Sequence, residues 1–125
     1  MNFEIVLDLE NLNIKTYDLT LILGILLDNA IDAAKDSKEK IINVIIRKDN
    51  KASRNLFIIE NSYSNKDVNV DRIFEKGYSS KTNEDKESHG LGLWNVRKIL
   101  KKNNNLNLFT SKNKNMFKQQ LEIYI

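Results

Sequence analysis

The sequence predicts an α+β domain in which helices pack on one face of a mixed, mainly antiparallel sheet. Three observations support this prediction. In several short stretches apolar residues alternate with polar ones, as they do in strands. In two longer stretches apolar residues recur every three or four positions, as they do in amphipathic helices. The length of 125 residues suffices for one hydrophobic core but not for two, so residues 1–125 are predicted to form a single two-layer domain.

The helices are predicted from the longer periodic stretches. Residues 17–35 are the longest of these, and Asp18 is available as a cap where the helix begins. Residues 91–102 predict a second helix, and residues 71–75 predict a short helical turn. Residues 76–89 offer almost no apolar side chain to bury, which predicts a mobile surface loop ahead of the second helix.

The strands are predicted from alternating and β-branched stretches. Near the beginning of the chain, alternation predicts a half-buried strand that carries Phe3, Ile5, Leu7 and Leu9. Two hairpins complete the predicted sheet, with strands at residues 41–48 and 56–60, and at residues 106–110 and 117–125.

The composition excludes several kinds of chemistry. The absence of cysteine excludes disulfides, thiolate metal sites and a cysteine nucleophile. The single histidine, His89, excludes a multi-histidine metal site. No apolar run approaches the roughly 18 to 20 residues that cross a bilayer. We interpret the net charge of +3 as solvated lysine side chains rather than as a surface for nucleic acid.

One face of the first predicted helix carries polar residues that require a reason. Asp28, Asn29 and Asp32 lie within a sector of about 100° around the helix axis. A solvated face is the simplest interpretation, since most amphipathic helices have one. Asparagine is a weak helix former, however, so Asn29 between Leu27 and Ala30 needs a reason, and a functional role stays open beside the solvated face.

Glycines lie where the predicted loop meets the second helix. Gly90 and Gly92 flank Leu91 at the position where that helix is predicted to begin. A helix start presents backbone N–H groups and a positive dipole, which together suit an anion. A plain loop-to-helix turn also uses glycines, so this pattern alone leaves both interpretations open. A Walker-type phosphate loop is absent from the sequence.

Three segments occur in a characteristic order: LILGILLDNAIDAA (residues 21–34), IFEKGYSSK (residues 73–81) and HGLGLWNVRKIL (residues 89–100). They resemble, in turn, the N box, the segment that enters the ATP lid, and the G2 box of the GHKL ATPases. That family comprises histidine-kinase catalytic domains, gyrase, Hsp90 and MutL. The resemblance covers nearly the whole chain, and it implies the Bergerat ATP-binding fold with ATP and magnesium as cofactors.

The resemblance implies a magnesium site on the first helix. Asn29 would be the magnesium ligand, with its neutral amide oxygen completing an octahedron of phosphate oxygens and water. Magnesium bound to phosphates takes few protein ligands, which agrees with a single amide. Asp28 and Asp32 would flank the site, one step outside the direct ligands.

The resemblance also implies which residues contact the phosphates. Gly90, Leu91 and Gly92 would let backbone N–H groups close on them. Lys81 would reach the terminal phosphate as a point charge. His89 would lie beside the phosphates in the lid.

The sequence departs from the family pattern at two positions. The G1 box, an Asp followed by glycines that binds the adenine amino group, here reads ENSY at residues 60–63. Asn61 falls at the Asp position, and its side-chain oxygen can still accept one hydrogen bond. Ile25 stands one turn before Asn29, where the hydrolytic members carry a glutamate that activates water. Ile25 cannot remove a proton.

The missing glutamate implies a kinase, because the γ-phosphate is then kept for a protein acceptor. ILLDNAIDAA combined with a glycine-poor G1 region looks most like the Agr-type quorum-sensing sensor histidine kinases. The expected function is therefore to bind MgATP and present its γ-phosphate to a phosphoacceptor histidine on the kinase's own dimerisation domain. A response regulator is expected as an indirect partner. Neither a nucleic-acid partner nor direct membrane contact is expected.

The same resemblance implies a cytoplasmic domain of a membrane-bound sensor kinase, with no catalytic residue inside these 125 residues. Two alternatives stay open. The first is a degenerate GHKL module that binds partners without nucleotide, because the G1 region is altered. The second is a small basic nucleic-acid binder, which rests on the isoelectric point alone and predicts strongly salt-dependent affinity.

Overall fold

The computed structural model describes residues 2–6, 12–64 and 83–125 of the chain. Among these residues it contains two helices and five strands. In chain order they are β1 (Asn2–Val6), α1 (Thr16–Lys35), β2 (Ile42–Asp49), β3 (Arg54–Ser62), α2 (Asn83–Lys102), β4 (Leu106–Lys112) and β5 (Met116–Tyr124). The predicted turn at residues 71–75 lies outside the described residues.

The five strands form one sheet in the order β1-β2-β3-β5-β4. β1 pairs with β2 in parallel, whereas the β2–β3, β3–β5 and β4–β5 pairs are antiparallel. Both predicted hairpins are present, since β2 pairs with β3 and β4 pairs with β5 through short connections. This arrangement confirms the predicted mixed, mainly antiparallel sheet.

The hydrophobic core lies between the two helices and one face of this sheet. α1 buries a stripe spaced by four residues, which consists of Ile22, Leu26, Ala30 and Ala34. The cluster is completed by Val96 of α2 and by sheet residues Ile42, Val44, Ile46, Phe57, Ile59, Leu106, Leu121 and Ile123. Both helices therefore cover the same face, which confirms the predicted two-layer α+β class. Neither described helix combines the length and the apolarity that crossing a membrane requires.

α1 begins one residue earlier than predicted, and this changes the role of Asp18. Lys15 occupies the N-cap position, and no side chain among the described residues caps the first turn. Asp18 lies inside that turn, so the prediction that it caps the helix is wrong. A carboxylate in the first turn still interacts favourably with the positive end of the helix dipole.

β1 is a strand as predicted, but its apolar side chains are not half-buried. Phe3 is 61% exposed and Ile5 is 56% exposed, although they pair with the buried residues Val44 and Ile46. The reason is position, because β1 is an edge strand and lies at the margin of the area that the helices cover. The predicted positions Leu7 and Leu9 of this strand lie outside the described residues.

α2 begins at Asn83, eight residues before the predicted start. Residues 83–89, predicted as a loop, continue the helix toward its N-terminus, and residues 76–82 lie outside the described residues. The segment NEDKES at residues 83–88 contains two Glu and one Lys, which are good helix formers. The prediction was wrong because it required apolar periodicity, which the first turns of a helix do not need.

The opposite face of the sheet carries a polar network around a buried carboxylate. Glu122 is only 1% exposed and forms an ion pair with Arg54. Its carboxylate also accepts hydrogen bonds from Asn107 at 3.1 Å and from Gln120 at 3.0 Å. Arg54 donates its Nε to Asp49 at 2.9 Å, and this bond lowers the pKa of the Asp49 carboxyl below its ordinary value. The stability that Asp49 contributes is therefore lost as the pH falls through that lowered pKa.

Removing the Arg54 cation should destabilise the fold strongly. Arg54→Leu leaves the buried Glu122 carboxylate without its counter-charge, and we expect the free energy of unfolding to fall clearly further than in a control variant. Arg47→Leu is the matched control, since Arg47 is exposed and makes no ion pair with the described residues. Urea unfolding followed by circular dichroism measures both, and equal losses in the two variants would contradict the assignment.

Candidate functional site

The polar face of α1 lies beside the buried stripe of that helix. α1 is helical without interruption, so Asp28, Asn29 and Asp32 share one side of it. Asp28 is exposed, whereas Asn29 and Asp32 are half-buried. Asn29 is adjacent to Ala30, which is 3% exposed and packs in the core. The packing of that stripe therefore fixes the direction in which the Asn29 amide projects.

The second predicted site element, Asn61, lies near the end of β3. Its side chain is buried, with 3% exposure, and its Nδ2 donates a hydrogen bond of 3.0 Å to the Ser62 carbonyl oxygen. A side-chain amide has one donor end and one acceptor end. The nitrogen bonds to Ser62, and the oxygen is the acceptor end of the Asn61 amide.

Two serines join these two site elements. Ser37 follows α1, Ser62 ends β3, and their hydroxyl oxygens lie 2.7 Å apart. The end of α1 is therefore fixed to the end of β3. Asn29 lies six residues before Lys35, which corresponds to about 9 Å of helix. Asn29 thus lies on α1 about two turns before this junction, and Asn61 directly precedes it on β3.

Ile25 and Gly92 form the contact between the two helices. A Cβ built on Gly92 would lie 3.2 Å from Cγ2 of Ile25, which is closer than side chains normally pack. Gly92 therefore permits a close approach of α2 to α1. The hydrolytic GHKL members that the sequence resembles carry a water-activating glutamate at the position of Ile25. Here Ile25 is half-buried against α2.

The remaining predicted residues lie in or before α2. Lys81 lies outside the described residues. The backbone of His89, Gly90 and Leu91 is helical, so the prediction that the two glycines open the helix is wrong. In the interior of a helix, backbone N–H groups bond to carbonyls four residues earlier. A phosphate contact by Gly90 or Gly92 therefore requires the turns before them to open, and that role stays a prediction.

The sequence analysis assigned no role to Ser37 or Ser62. Both are buried polar residues, with exposures of 4% and 0%. Ser37 follows a helix end, which is an ordinary place for a serine, and nothing local indicates that its partner is 25 residues away. Only the folded arrangement identifies this pair.

The chemistry of the α1 polar face fits a magnesium ion bound with a nucleotide. Magnesium prefers oxygen ligands, retains water and binds proteins through few side chains when phosphates are present. Asn29 offers one half-buried amide oxygen, and Asp28 and Asp32 add negative charge beside it. The buried Asn61 amide offers an acceptor for a base amino group. The oxygens on α1 therefore suit the magnesium ion of such a ligand, and the Asn61 amide suits its base.

Comparison with known proteins identifies the family of this α+β domain. The GHKL domain profile matches residues 14–124, which is most of the chain. The chain therefore belongs to the GHKL family. A search of curated protein sequences finds no match.

Solved structures with the same fold include histidine-kinase catalytic domains. The chain is similar to the nucleotide-free catalytic domain of histidine kinase ThkA, with a TM-score of 0.74 and 21% identity over 98% of this chain and 76% of that one. It is also similar to histidine kinase AdeS of Acinetobacter baumannii, with a TM-score of 0.60 and 18% identity over 86% of this chain and 46% of that one. At these identities the likeness confirms the fold.

Alanine at Gly92 should disturb the contact between the helices. Ile25 is β-branched and has one strongly preferred rotamer in a helix, so it cannot turn aside from a new methyl group. We expect Gly92→Ala to lower the free energy of unfolding by about 1 kcal/mol, as overpacking does. The measurement is denaturant unfolding. The loss should be smaller in an Ile25→Ala background, because the clashing atom is then absent.

Gly24→Ala is the matched control in the other helix. Gly24 is exposed in α1, and no described atom lies within 4 Å of a Cβ built there. This substitution should raise the free energy of unfolding by about 0.5 to 1 kcal/mol, the difference in helix propensity. A gain of the same size at Gly92 would show that the helices do not meet there.

Proposed function

We propose that this GHKL domain binds MgATP and presents its γ-phosphate to a phosphoacceptor histidine on a separate dimerisation domain. The observation that carries this proposal is the Ser37–Ser62 bond, which ties the end of α1, the helix that carries Asn29, to the end of β3, where Asn61 lies. One of these amides suits a phosphate-bound magnesium ion, and the other suits a purine amino group. Their combination favours a nucleotide over a simple anion.

In this proposal each site residue has a defined task. Asn29 holds magnesium, which neutralises charge on the phosphates, while Asp28 and Asp32 flank it. Asn61 accepts a hydrogen bond from the base. The phosphates are contacted by residues that the sequence resemblance assigns, namely Lys81, His89, Gly90, Leu91 and Gly92. The contacts from the two glycines require the first turns of α2 to open when nucleotide binds.

The reaction class follows from Ile25. An aliphatic side chain packed against α2 cannot take a proton from water, so the domain lacks a base for hydrolysis at this position. Phosphoryl transfer then depends on an acceptor brought in line with the γ-phosphate. The only imidazole of the chain is His89, which the resemblance places in the lid rather than on an acceptor helix. The acceptor therefore belongs to a partner.

We further propose that the chain is the catalytic unit of an Agr-type quorum-sensing kinase. The N-box segment ILLDNAIDAA and the glycine-poor segment at residues 60–63 support this assignment. Residues 1–125 then act as one cytoplasmic catalytic domain of a membrane-bound kinase. Its direct partner is the dimerisation domain of the same kinase, and a response regulator receives the phosphoryl group indirectly.

Calorimetric titration with a non-hydrolysable ATP analogue tests nucleotide binding directly. We expect binding that strengthens when magnesium is added. Asn29→Ala should lower this magnesium-dependent affinity at least tenfold, a loss of about 1.4 kcal/mol, because an amide oxygen ligand is removed. Asn95→Ala is the control, since Asn95 is an exposed asparagine of α2.

The possible outcomes separate the proposal from the alternative of a partner-binding module. A chain that binds no nucleotide with or without magnesium supports that module and contradicts the proposal. Binding that Asn29→Ala and Asn95→Ala leave equally unchanged shows that the metal is held elsewhere.

The isolated chain should bind MgATP without turning it over. It has no base at position 25, and its one histidine, His89, belongs to α2 of this domain and not to a dimerisation domain. Incubation with γ-labelled ATP should therefore give no labelled protein and no appreciable phosphate release. Adding the histidine-bearing region of its parent kinase should restore labelling, on that region's histidine. Acid-labile label on His89, or steady phosphate release by the chain alone, would contradict this prediction.

A further inference from the structure

Basic side chains are concentrated toward the end of the chain. Residues 92–125 contain seven Lys or Arg and one acidic residue, Glu122, whereas residues 1–91 contain 13 basic and 16 acidic residues. Glu122 is buried and paired with Arg54, so it does not offset the exposed cations of its own segment. The net charge of +3 is therefore the difference between a basic and an acidic part of the chain.

Four of these cations form one face of α2, which we name the α2 basic face. It consists of Arg97, Lys98, Lys101 and Lys102, which are all exposed and lie within a sector of about 140° around the helix axis. Val96, on the opposite side of the helix, is 0% exposed. The packing of α2 in the core therefore turns the basic face toward solvent.

The α2 basic face brings like charges together. Arg97 and Lys98 each precede a lysine by four residues, a spacing at which like charges destabilise a helix. Both ion pairs among the described residues belong to Arg54, so no described carboxylate pairs with this face. The helix dipole accounts for Lys101 and Lys102, which lie in the last turn. Its effect does not reach the preceding turn, so Arg97 and Lys98 need another explanation.

The single tryptophan of the chain lies at the centre of the α2 basic face. Around the helix axis Trp94 falls between Arg97 and Lys98, and its side chain is half-buried. The Lys98 ammonium group lies over the ring, 4.7 Å from the ring centroid. This contact is attractive because the face of an aromatic ring carries partial negative charge. An aromatic ring among cations suits the boundary between water and anionic lipid head groups.

The chemistry of this face favours a lipid surface over a nucleic acid. Three of its four cations are lysines, which act as point charges on flexible stems and make no bidentate contacts with base edges. A base that stacked on Trp94 from the side of Lys98 would have to displace that ammonium group. A lipid surface requires neither contact, because its phosphates are spread over a plane.

We propose that the α2 basic face docks on an anionic lipid surface, with Trp94 at the level of the head groups. The apolar side of α2 packs in the domain core, so the helix lies on the membrane and does not insert. This inference goes beyond the proposed kinase activity, and beyond the sequence resemblance, which implies no direct membrane contact. It does not depend on nucleotide binding, so a chain that fails to bind ATP leaves it intact.

Vesicle binding by the 125-residue chain tests the proposal. Vesicles of phosphatidylglycerol and phosphatidylcholine in equal parts are compared with vesicles of phosphatidylcholine alone. Co-sedimentation measures binding, and tryptophan emission reports on the α2 basic face because Trp94 is the only tryptophan. We expect binding and a blue shift of the emission with the anionic vesicles only, and we expect salt to weaken both.

The double variant Lys101→Gln, Lys102→Gln assigns the binding to α2. Each Lys or Arg near an anionic surface strengthens binding about fivefold, so the lipid partition coefficient should fall about 25-fold. Lys35→Gln with Lys38→Gln is the matched control, since it removes the same charge from exposed positions at and after the end of α1. It should change the coefficient less than about twofold, because salt screens distant charges. Circular dichroism checks that both double variants are folded.

The outcomes separate the proposal from its alternatives. No binding to anionic vesicles, or equal binding to both kinds of vesicle, overturns it. Equal losses in the two double variants also overturn it, because net charge alone then explains the binding. Duplex DNA and poly-glutamate are compared at the same concentration of negative charge, and tighter binding to either overturns the choice of a lipid surface. A loss confined to the α2 variant, with weaker binding to both of those polymers, supports the proposal.

Discussion

The packing of α1 against the sheet is the interaction on which the candidate site depends. The buried stripe fixes the rotation of this helix about its axis, and Asn29 projects beside that stripe as a result. Ala30 and Ala34 are small, so the end of the helix can approach the sheet closely enough for Ser37 to bond to Ser62. A single packing arrangement therefore sets both the direction of the Asn29 amide and its relation to the end of β3.

The two faces of the sheet stabilise the domain in different ways. One face is covered by helices and buries a cluster of apolar side chains. On the other face neither described helix covers Glu122, and its burial is tolerated because Arg54, Asn107 and Gln120 all bond to its carboxylate. Such a network is stabilising only when every member is satisfied, so its tolerance for substitution is low. The central strands are thus held rigidly on both sides, and β3 carries Asn61 at its end.

Periodicity in the sequence was sufficient to predict the elements whose patterns are local. α1, the two hairpins and the two-layer class are of this kind, because each depends on the spacing of apolar residues within one segment. The exposure of Phe3 could not be predicted, since it depends on which strand lies at the sheet edge. The early start of α2 was missed because its first turns carry no apolar residue. The bond between Ser37 and Ser62 joins two distant segments, and no pattern within either one indicates it.

Ile25 has two consequences, and they cannot be separated. An aliphatic side chain at this position can pack against Gly92, where the helices approach so closely that a methyl group would collide. A glutamate in the same place would bury a charge at a helix contact unless water or a ligand reached it, which costs free energy. The close α1–α2 contact and the absence of a water-activating base therefore have the same origin. On α1, the residue one turn before Asn29 therefore contributes packing to the helix contact and no acid–base chemistry.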